Sequence, residues 1–281
     1  AFPSLLTVPV DVNYVKQSVL VMASDSVLPE VQLELSQGKQ FYSLDQLTML
    51  SILATSNWRR PICFTSFYNE IGFGPYLRQS GLIYQFVPVV INSRANVMDA
   101  NTTMNLLMNE FRSGNANKPG VYFDEENRRH LLSIRSAYAQ AAYNLAEDGK
   151  KQEAVNLLEK AESLIIPEAL PYAMVGRDNA HNRTSLLYLE TAMKAGHTTL
   201  AKKVKDALVK DLNQQLKYYE YLKQSRPEYF NGDLAGDEQF CKQALQKIEE
   251  FDKTYNPGPQ QINEKPGQKP ETDTGHEGHN H

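Results

Sequence analysis

Val31-Gln32-Leu33-Glu34-Leu35 alternates apolar and polar residues with a period of two, which predicts a strand with one wet face, and Gly38 then supplies a turn. Val8-Pro9-Val10-Asp11-Val12 is extended by its β-branched residues and proline, and Val19-Leu20-Val21-Met22 is a second short apolar run. The rhythm then becomes helical. Ser43 is a candidate N-cap, Asp45 and Gln46 fall in the first turn, and Leu44, Leu47, Leu50, Ile52 and Leu53 predict a broad apolar face. That helix ends by Asn57, because Pro61 biases Arg60 away from helical dihedrals. Pro61 to Ser66 reads as a buried strand, Gly74-Pro75-Tyr76-Leu77 as a turn into a short helix, and Leu82 to Ile91 as an apolar strand. Pro88 within that last run predicts an edge strand or a bulge. Strand, helix, strand, short helix, strand together predict a small α/β layer over residues 1–95.

Beyond a polar stretch at Asn92 to Asn101, the period stays helical. Thr103 to Phe111, with Met104, Leu107, Met108 and Phe111 on one side, predicts a short helix bridging two domains within residues 96–123, followed by a loop at Gly114 to Gly120. Asp124 is placed to cap a helix whose first turn carries Glu125 and Glu126; helix capping is the stronger reading of this acidic run, a metal site the weaker. Tyr138, Ala142, Leu145, Gly149, Ala154, Leu158 and Ala161, with Pro167 beyond, have the large, small, turn, small, large order of a tetratricopeptide repeat. Ala192, Gly196 and Ala201 repeat the spacing of Leu145, Gly149 and Ala154 at an interval longer than the usual ~34 residues, with residues 167–183 as the insertion between the copies. A long helix from Leu200 to Ser225 and a capping helix from Asp237 to Tyr255 complete an all-α domain over 124–256. From Pro257 on, Pro, Gly, Gln and charge dominate, which predicts a disordered tail over 257–281. The fold class is therefore α+β.

Composition narrows function mainly by exclusion. A net charge of -4 gives no basic footprint for nucleic acid. No run approaches the roughly 20 apolar residues that a membrane helix needs, and the start lacks a charged region followed by an apolar one. A soluble domain is expected, of the kind also found as a piece of a larger protein. Cys63 and Cys241 are far apart and expected to be buried, inert thiols. Neither a metalloprotease helix, a nucleophile elbow nor a phosphate-binding loop is present, Gly72-Phe73-Gly74 lacks the third glycine of a dinucleotide fingerprint, and no motif calls for a cofactor. His130, His181 and His197 have no ligand-spaced partners; His276, His279 and His281 in the tail lack the support a specific metal site needs. Asn101 and Asn182 open glycosylation acceptor patterns, read as chance matches.

Val8-Pro9-Val10-Asp11, then Leu44-Asp45-Gln46-Leu47 leading into Asn57-Trp58-Arg59-Arg60-Pro61-Ile62-Cys63-Phe64, then Gly81-Leu82-Ile83-Tyr84-Gln85-Phe86-Val87-Pro88, resemble the segment after the last membrane span in a family of bacterial multi-pass membrane proteins. That family is related to protein O-mannosyltransferases, including the eukaryotic transmembrane O-mannosyltransferase with a helical-repeat tail. The resemblance extends into the helices beyond residue 120; Cys63 stands where the family usually has tyrosine. It implies a non-catalytic extracytoplasmic domain on the periplasmic face of the bacterial inner membrane. Such a domain would position an acceptor protein or steady the membrane-embedded part of the same polypeptide. Membrane contact is expected only through that preceding region. The family's catalytic acidic residue lies in an early loop outside this sequence, so no catalytic residue is carried over. The alternative is an independent helical-repeat module that holds a partner protein.

Trp58, Arg59 and Arg60 are the first candidate binding residues: Trp offers a stacking face for sugars and Arg a fork for phosphate, against the stronger structural reading of a core Trp and surface arginines. The insertion supplies Tyr172 and Met174, with Leu170 and Val175. Its apolar residues predict that it folds back over the groove between the repeats or, less favoured, offers an edge to a partner.

Overall fold

A computed structural model describes residues 3–35, 41–92 and 97–256. Gly38, residues 93–96 of the boundary stretch, the whole of the tail and its three histidines lie outside the described residues. The fold is α+β, a small sheet region followed by a mostly helical body.

The sheet region holds two antiparallel sheets rather than one α/β layer. β1 (Leu5–Pro9) pairs with β2 (Glu30–Glu34), and β3 (Ile62–Phe64), β4 (Leu77–Ser80) and β5 (Ile83–Phe86) form a second sheet in the order β3-β5-β4. Val12–Gln17 forms a short helix, α1, capped by the Asp11 carboxylate, which accepts the Tyr14 amide at 3.1 Å; Val19 to Met22 forms turns and is not a strand. Pro88 does not mark an edge. β5 is the central strand and ends at Phe86, before the proline, whose carbonyl accepts the Leu28 amide at 2.9 Å. Gly74–Tyr76 is one 3₁₀ turn leading into β4 rather than into a helix.

α2 (Leu44–Ser56) begins at Ser43 as expected, with the Ser43 amide donating to Gln46 Oε1 at 3.2 Å. Its predicted apolar face is only partly packed, through Leu53 and Leu50. Gln46 and Leu53 are buried, the former because its side-chain amide also donates to the Glu70 carboxylate, while Leu44 is 80% exposed and Leu47 and Ile52 are exposed as well. Periodicity finds an apolar face but does not fix how much of it is covered. The core behind it gathers Val15, Val31, Leu33, Leu53, Phe73, Leu77 and Phe86 around Trp58.

α3 (Ala100–Asn105), capped by Asp99, begins three residues earlier than the sequence predicts and continues as a π turn over Leu106–Glu110. It ties the two parts together. The Gly81 amide, in the two-residue turn between β4 and β5, donates to Thr103 Oγ1 at 2.9 Å; from the other side the Tyr138 hydroxyl donates to the Leu107 carbonyl at 2.6 Å. Gly81 has φ +62°, and a Cβ there would meet the Leu106 side chain at 3.0 Å, so both backbone and space require glycine. Residues 97–99 run along the free edge of β4, exchanging backbone hydrogen bonds with Gln79, so that edge is covered.

The helical body comprises α4 (Glu125–Glu147), α5 (Lys151–Leu164), α6 (Ala180–Ala195), α7 (Thr198–Ser225) and α8 (Gly232–Tyr255). Asp124 caps α4. Ala142, Leu145, Ala154, Leu158 and Ala161 are buried where α4 meets α5, and the small residues let the two helices approach closely. The two copies end their first helices identically: Gly149 and Gly196 take φ of +78° and +82°, and the following amides, Lys150 and His197, donate back to Leu145 and Ala192 at 2.9 and 2.8 Å. This is the left-handed cap that closes a helix onto a tight connection. α8 covers the open side of the second pair, with Phe240, Cys241, Ala244, Ile248 and Phe251 buried.

The insertion folds back. Arg135, 1% exposed on α4, donates through Nη1 to the Pro171 carbonyl at 2.9 Å and through Nη2 to that of Leu170 at 2.8 Å. Its guanidinium lies over the Tyr172 and Tyr188 rings, 5.3 and 5.7 Å from their centroids, and both tyrosine hydroxyls donate to the Glu162 carboxylate. Burial pulls the Arg135 pKa down from its ordinary value while those neighbours hold it up. His181 Nε2 lies 2.8 Å from the same Pro171 carbonyl. Leu170 is fully buried against Leu131, Ile165 and Ala116.

Candidate functional site

The α4 face that is not used to pack α5 borders a groove. Arg128, Leu132, Ser136 and Gln140 follow one another at four-residue steps, with Arg129 and Ser133 beside them, so that one helix face forms the floor. One wall comes from the three-stranded sheet and the loop after β3, through Thr65, Ser66, Phe67, Gln79 and Tyr84; the other comes from the start of α6 and the end of the insertion, through Met174, Gly176, Ala180 and Thr184. The sheet end encloses about 400 Å³ and the insertion end about 370 Å³, and both ends touch Leu132 and Ala180, which makes them one continuous trough.

The two ends differ in chemistry. At the sheet end every lining side chain is uncharged, and hydroxyls and amides surround two rings, Phe67 and Tyr84, packed edge to face with centroids 5.4 Å apart. Phe67 is 53% exposed, so an aromatic surface is available without unfolding. Burial raises the Tyr84 pKa, so its hydroxyl remains a neutral donor. At the insertion end Arg128 and Arg129 rise from α4 opposite Met174 and Val175, with His181 behind. His181 is held below the usual imidazole range, mainly by burial, and is neutral at pH 7. A surface of this kind presents hydrogen-bond partners, an aromatic shelf and a basic end to an extended ligand. A larger recess of about 660 Å³ beside α7 and α8 carries several lysines, but Lys205 pairs with Asp252 at 2.5 Å, Lys202 with Asp206 at 2.8 Å and Lys194 with Glu147.

The residues singled out from sequence are scattered. Trp58 is buried, its indole N–H donates to the Pro9 carbonyl at 2.8 Å, and its ring stacks on Phe86 at 5.3 Å, so it offers no face to a sugar. Its role is to pin β1 to the three-stranded sheet. Arg59 and Arg60 are exposed, Arg59 lying over the Tyr14 ring at 5.8 Å, and neither borders the groove. Tyr172 is buried with its hydroxyl committed to Glu162, whereas Met174 does line the insertion end of the groove. Asn182 is buried and bonded to Asp211 at 2.8 Å, so the folded chain gives no access to its amide. Cys63 is exposed at the outer strand of its sheet, against the expectation of a buried thiol; Cys241 is buried and its thiol is pushed up to about 11, chiefly by burial. Among the described residues no three or more His, Cys, Asp or Glu side chains gather as a metal ion would require. Sequence reasoning did not single out Arg128, Ser133, Ser136, Gln140, Phe67 or Tyr84. The available signal was the spacing of small hydroxyls on α4, opposite Tyr138 and Ala142.

The fold and groove describe an α+β protein whose sheet region and helical body jointly border an extended trough. Residues 2–106, from β1 through the start of the π turn, match the family model of TMEM260-associated domain 2. That family is linked to TMEM260, a protein O-mannosyltransferase-like membrane protein. The match covers less than half of the chain. No curated protein and no solved structure matches it. Among the described residues no helix is long and apolar enough to cross a membrane.

Proposed function

We propose that this chain is the non-catalytic, extracytoplasmic part of a membrane-embedded, glycosyltransferase-like protein, and that it positions an acceptor polypeptide in the groove along α4. The periplasmic face of the bacterial inner membrane is the corresponding location. The observation that carries the reading is the groove itself: a trough, uncharged, hydroxyl-rich and aromatic at its sheet end, formed where a TMEM260-associated sheet region meets a helical body. Backbone amides and hydroxyls of an extended segment find partners in Ser133, Ser136, Gln140 and Thr184, while Phe67 offers a flat apolar contact. The helix pairs, with their matching glycine caps, fit a tetratricopeptide-like arrangement with a longer interval. A free-standing repeat module is the weaker reading, because Leu82, Met98 and Leu107 from the sheet side complete the helical core.

The test is sugar transfer by the full-length membrane protein to a polypeptide acceptor, with the wild-type domain, without the domain, and with Ser133→Trp. Ser133 is exposed at the groove, so a tryptophan there fills the trough without disturbing the core. Transfer should drop with both changes. An undiminished rate for every acceptor, in both, overturns the proposal.

A further inference from the structure

The insertion end of the groove contains an arginine, Arg128, that no ion pair among the described residues engages. Arg128 Nε is buried and has no hydrogen-bond partner among the described residues. The contrast with its neighbours is direct. Arg129 pairs with Glu126 at 2.7 Å, and Arg135 is fully engaged with two carbonyls, whereas no ion pair among the described residues includes Arg128. A buried donor left without a partner is costly, more so when it belongs to a charged group, so native structures rarely keep one without a use. Around it the recess is largely apolar, with Leu132 below and Met174 and Val175 opposite. Glu125 also borders the recess, but it makes no ion pair with Arg128. Val175 is exposed although the insertion on both sides of it is anchored, so an apolar surface stands ready beside the cation.

We propose that this recess binds a carboxylate carried next to a large aliphatic side chain on the polypeptide held in the groove, with the Arg128 guanidinium as its partner. The inference rests on the reading of the groove as a polypeptide site and adds to it a preference and a direction. A guanidinium edge meets a carboxylate through two parallel N–H donors, and here one of them is Nε–H, already stripped of water. The aliphatic neighbour packs on Leu132, Met174 and Val175, which shields the pair and raises its worth above that of an exposed ion pair. Since the opposite end is uncharged, the bound segment has its acidic residue at the insertion and its neutral, hydroxyl-bearing part toward Phe67.

The carboxylate has two sources, an acidic side chain or a chain terminus, and fluorescein-labelled peptides separate them. The set is a short Ser/Thr/Gly peptide closing on a Leu-Glu-Leu sequence with an amidated end, its Leu-Gln-Leu counterpart also amidated, and the Leu-Gln-Leu peptide with a free terminal carboxylate. Binding to the whole chain is read by fluorescence anisotropy. One charge-assisted pair at the lower end of its range, about 1.5 kcal/mol, corresponds to roughly tenfold in affinity. The Glu peptide, the free-terminus peptide or both should therefore bind about tenfold more tightly than the neutral one, and whichever does identifies the source. Arg128→Gln should remove that preference, so that charged and neutral peptides bind alike, and Arg128→Glu should favour a Leu-Lys-Leu peptide instead. Circular dichroism confirms that the variants fold. Equal binding of charged and neutral peptides, or a preference that survives Arg128→Gln, overturns the inference and leaves the groove reading standing. Absence of binding by every peptide overturns both.

Discussion

Replacing Arg135 by alanine removes the clamp that holds the insertion onto α4, and the loss can be estimated from its partners. Two hydrogen bonds from a charged donor, to the Leu170 and Pro171 carbonyls, are worth about 1.5 to 3 kcal/mol each. Two aromatic faces add a contribution of about 0.5 to 2 kcal/mol apiece. Against this stands the desolvation of a side chain only 1% exposed, several kcal/mol, which truncation gives back. What decides the sign is what remains: two carbonyls and the Glu162 carboxylate would stay in place without their cation. Breaking one side of such a buried arrangement costs about 3 to 5 kcal/mol, the expected effect of Arg135→Ala in urea unfolding followed by circular dichroism. Arg135→Met restores volume but no donors and should recover only part of that. Hydrogen exchange gives a second readout, since the Met174 amide, bonded to Asn182 Oδ1, should lose protection when the insertion is released. An Arg135→Ala protein within about 0.5 kcal/mol of wild type would refute this reasoning and make the guanidinium a passenger.

Trp58→Ala should cost about 3 to 5 kcal/mol, the range for truncating a buried aromatic, and Trp58→Phe less, because it keeps the stack on Phe86 and loses only the bond to Pro9; circular dichroism melts rank the two. His181, whose pKa is depressed mainly by burial, is neutral in the folded chain. As pH falls below the unfolded value of about 6.5 the unfolded chain takes up the proton first, so stability present above that pH is lost toward the lower folded value. His181→Gln should flatten the stability profile below the unfolded value of about 6.5, and an unchanged slope would count against the assignment. A thiol reagent should modify Cys63 in the native protein and reach Cys241 only on unfolding, which mass spectrometry resolves.

Local chemistry was legible in the sequence; long-range geometry was not. Ser43, Asp124 and the glycines at 149 and 196 announce helix ends because capping is decided within a few residues. The helix pair followed from small residues at fixed spacing for the same reason. Pro88 misled because a proline just beyond a strand and one inside it look alike until the strand's end is known. Leu44, Leu47, Leu50, Ile52 and Leu53 predicted a buried face, yet only Leu53 and, in part, Leu50 reach the core while the other three are exposed, a choice that tertiary contact makes. Cys63 fell outward because β3 is three residues long, with its middle side chain directed away from the core. The groove was hidden for a different reason. Phe67, Ser136 and Met174 come from a strand loop, a helix and an insertion, and nothing in their spacing tells that folding brings them to one trough.

The π turn at Leu106–Glu110 can also be described as arithmetic on a screw. Its Phe111 amide reaches back five residues to Leu106 where an α-helix would reach four, so the turn holds one residue more than an uninterrupted helix. An α-helix advances about 100° per residue, so removing that residue would leave a regular helix whose two ends are out of phase by about that angle. Leu107 would no longer offer its carbonyl to Tyr138 while Thr103 still faces Gly81. The chain thus carries a single-residue phase shift at the seam between sheet and helices, and the family match ends at Leu106, the residue where the shift begins.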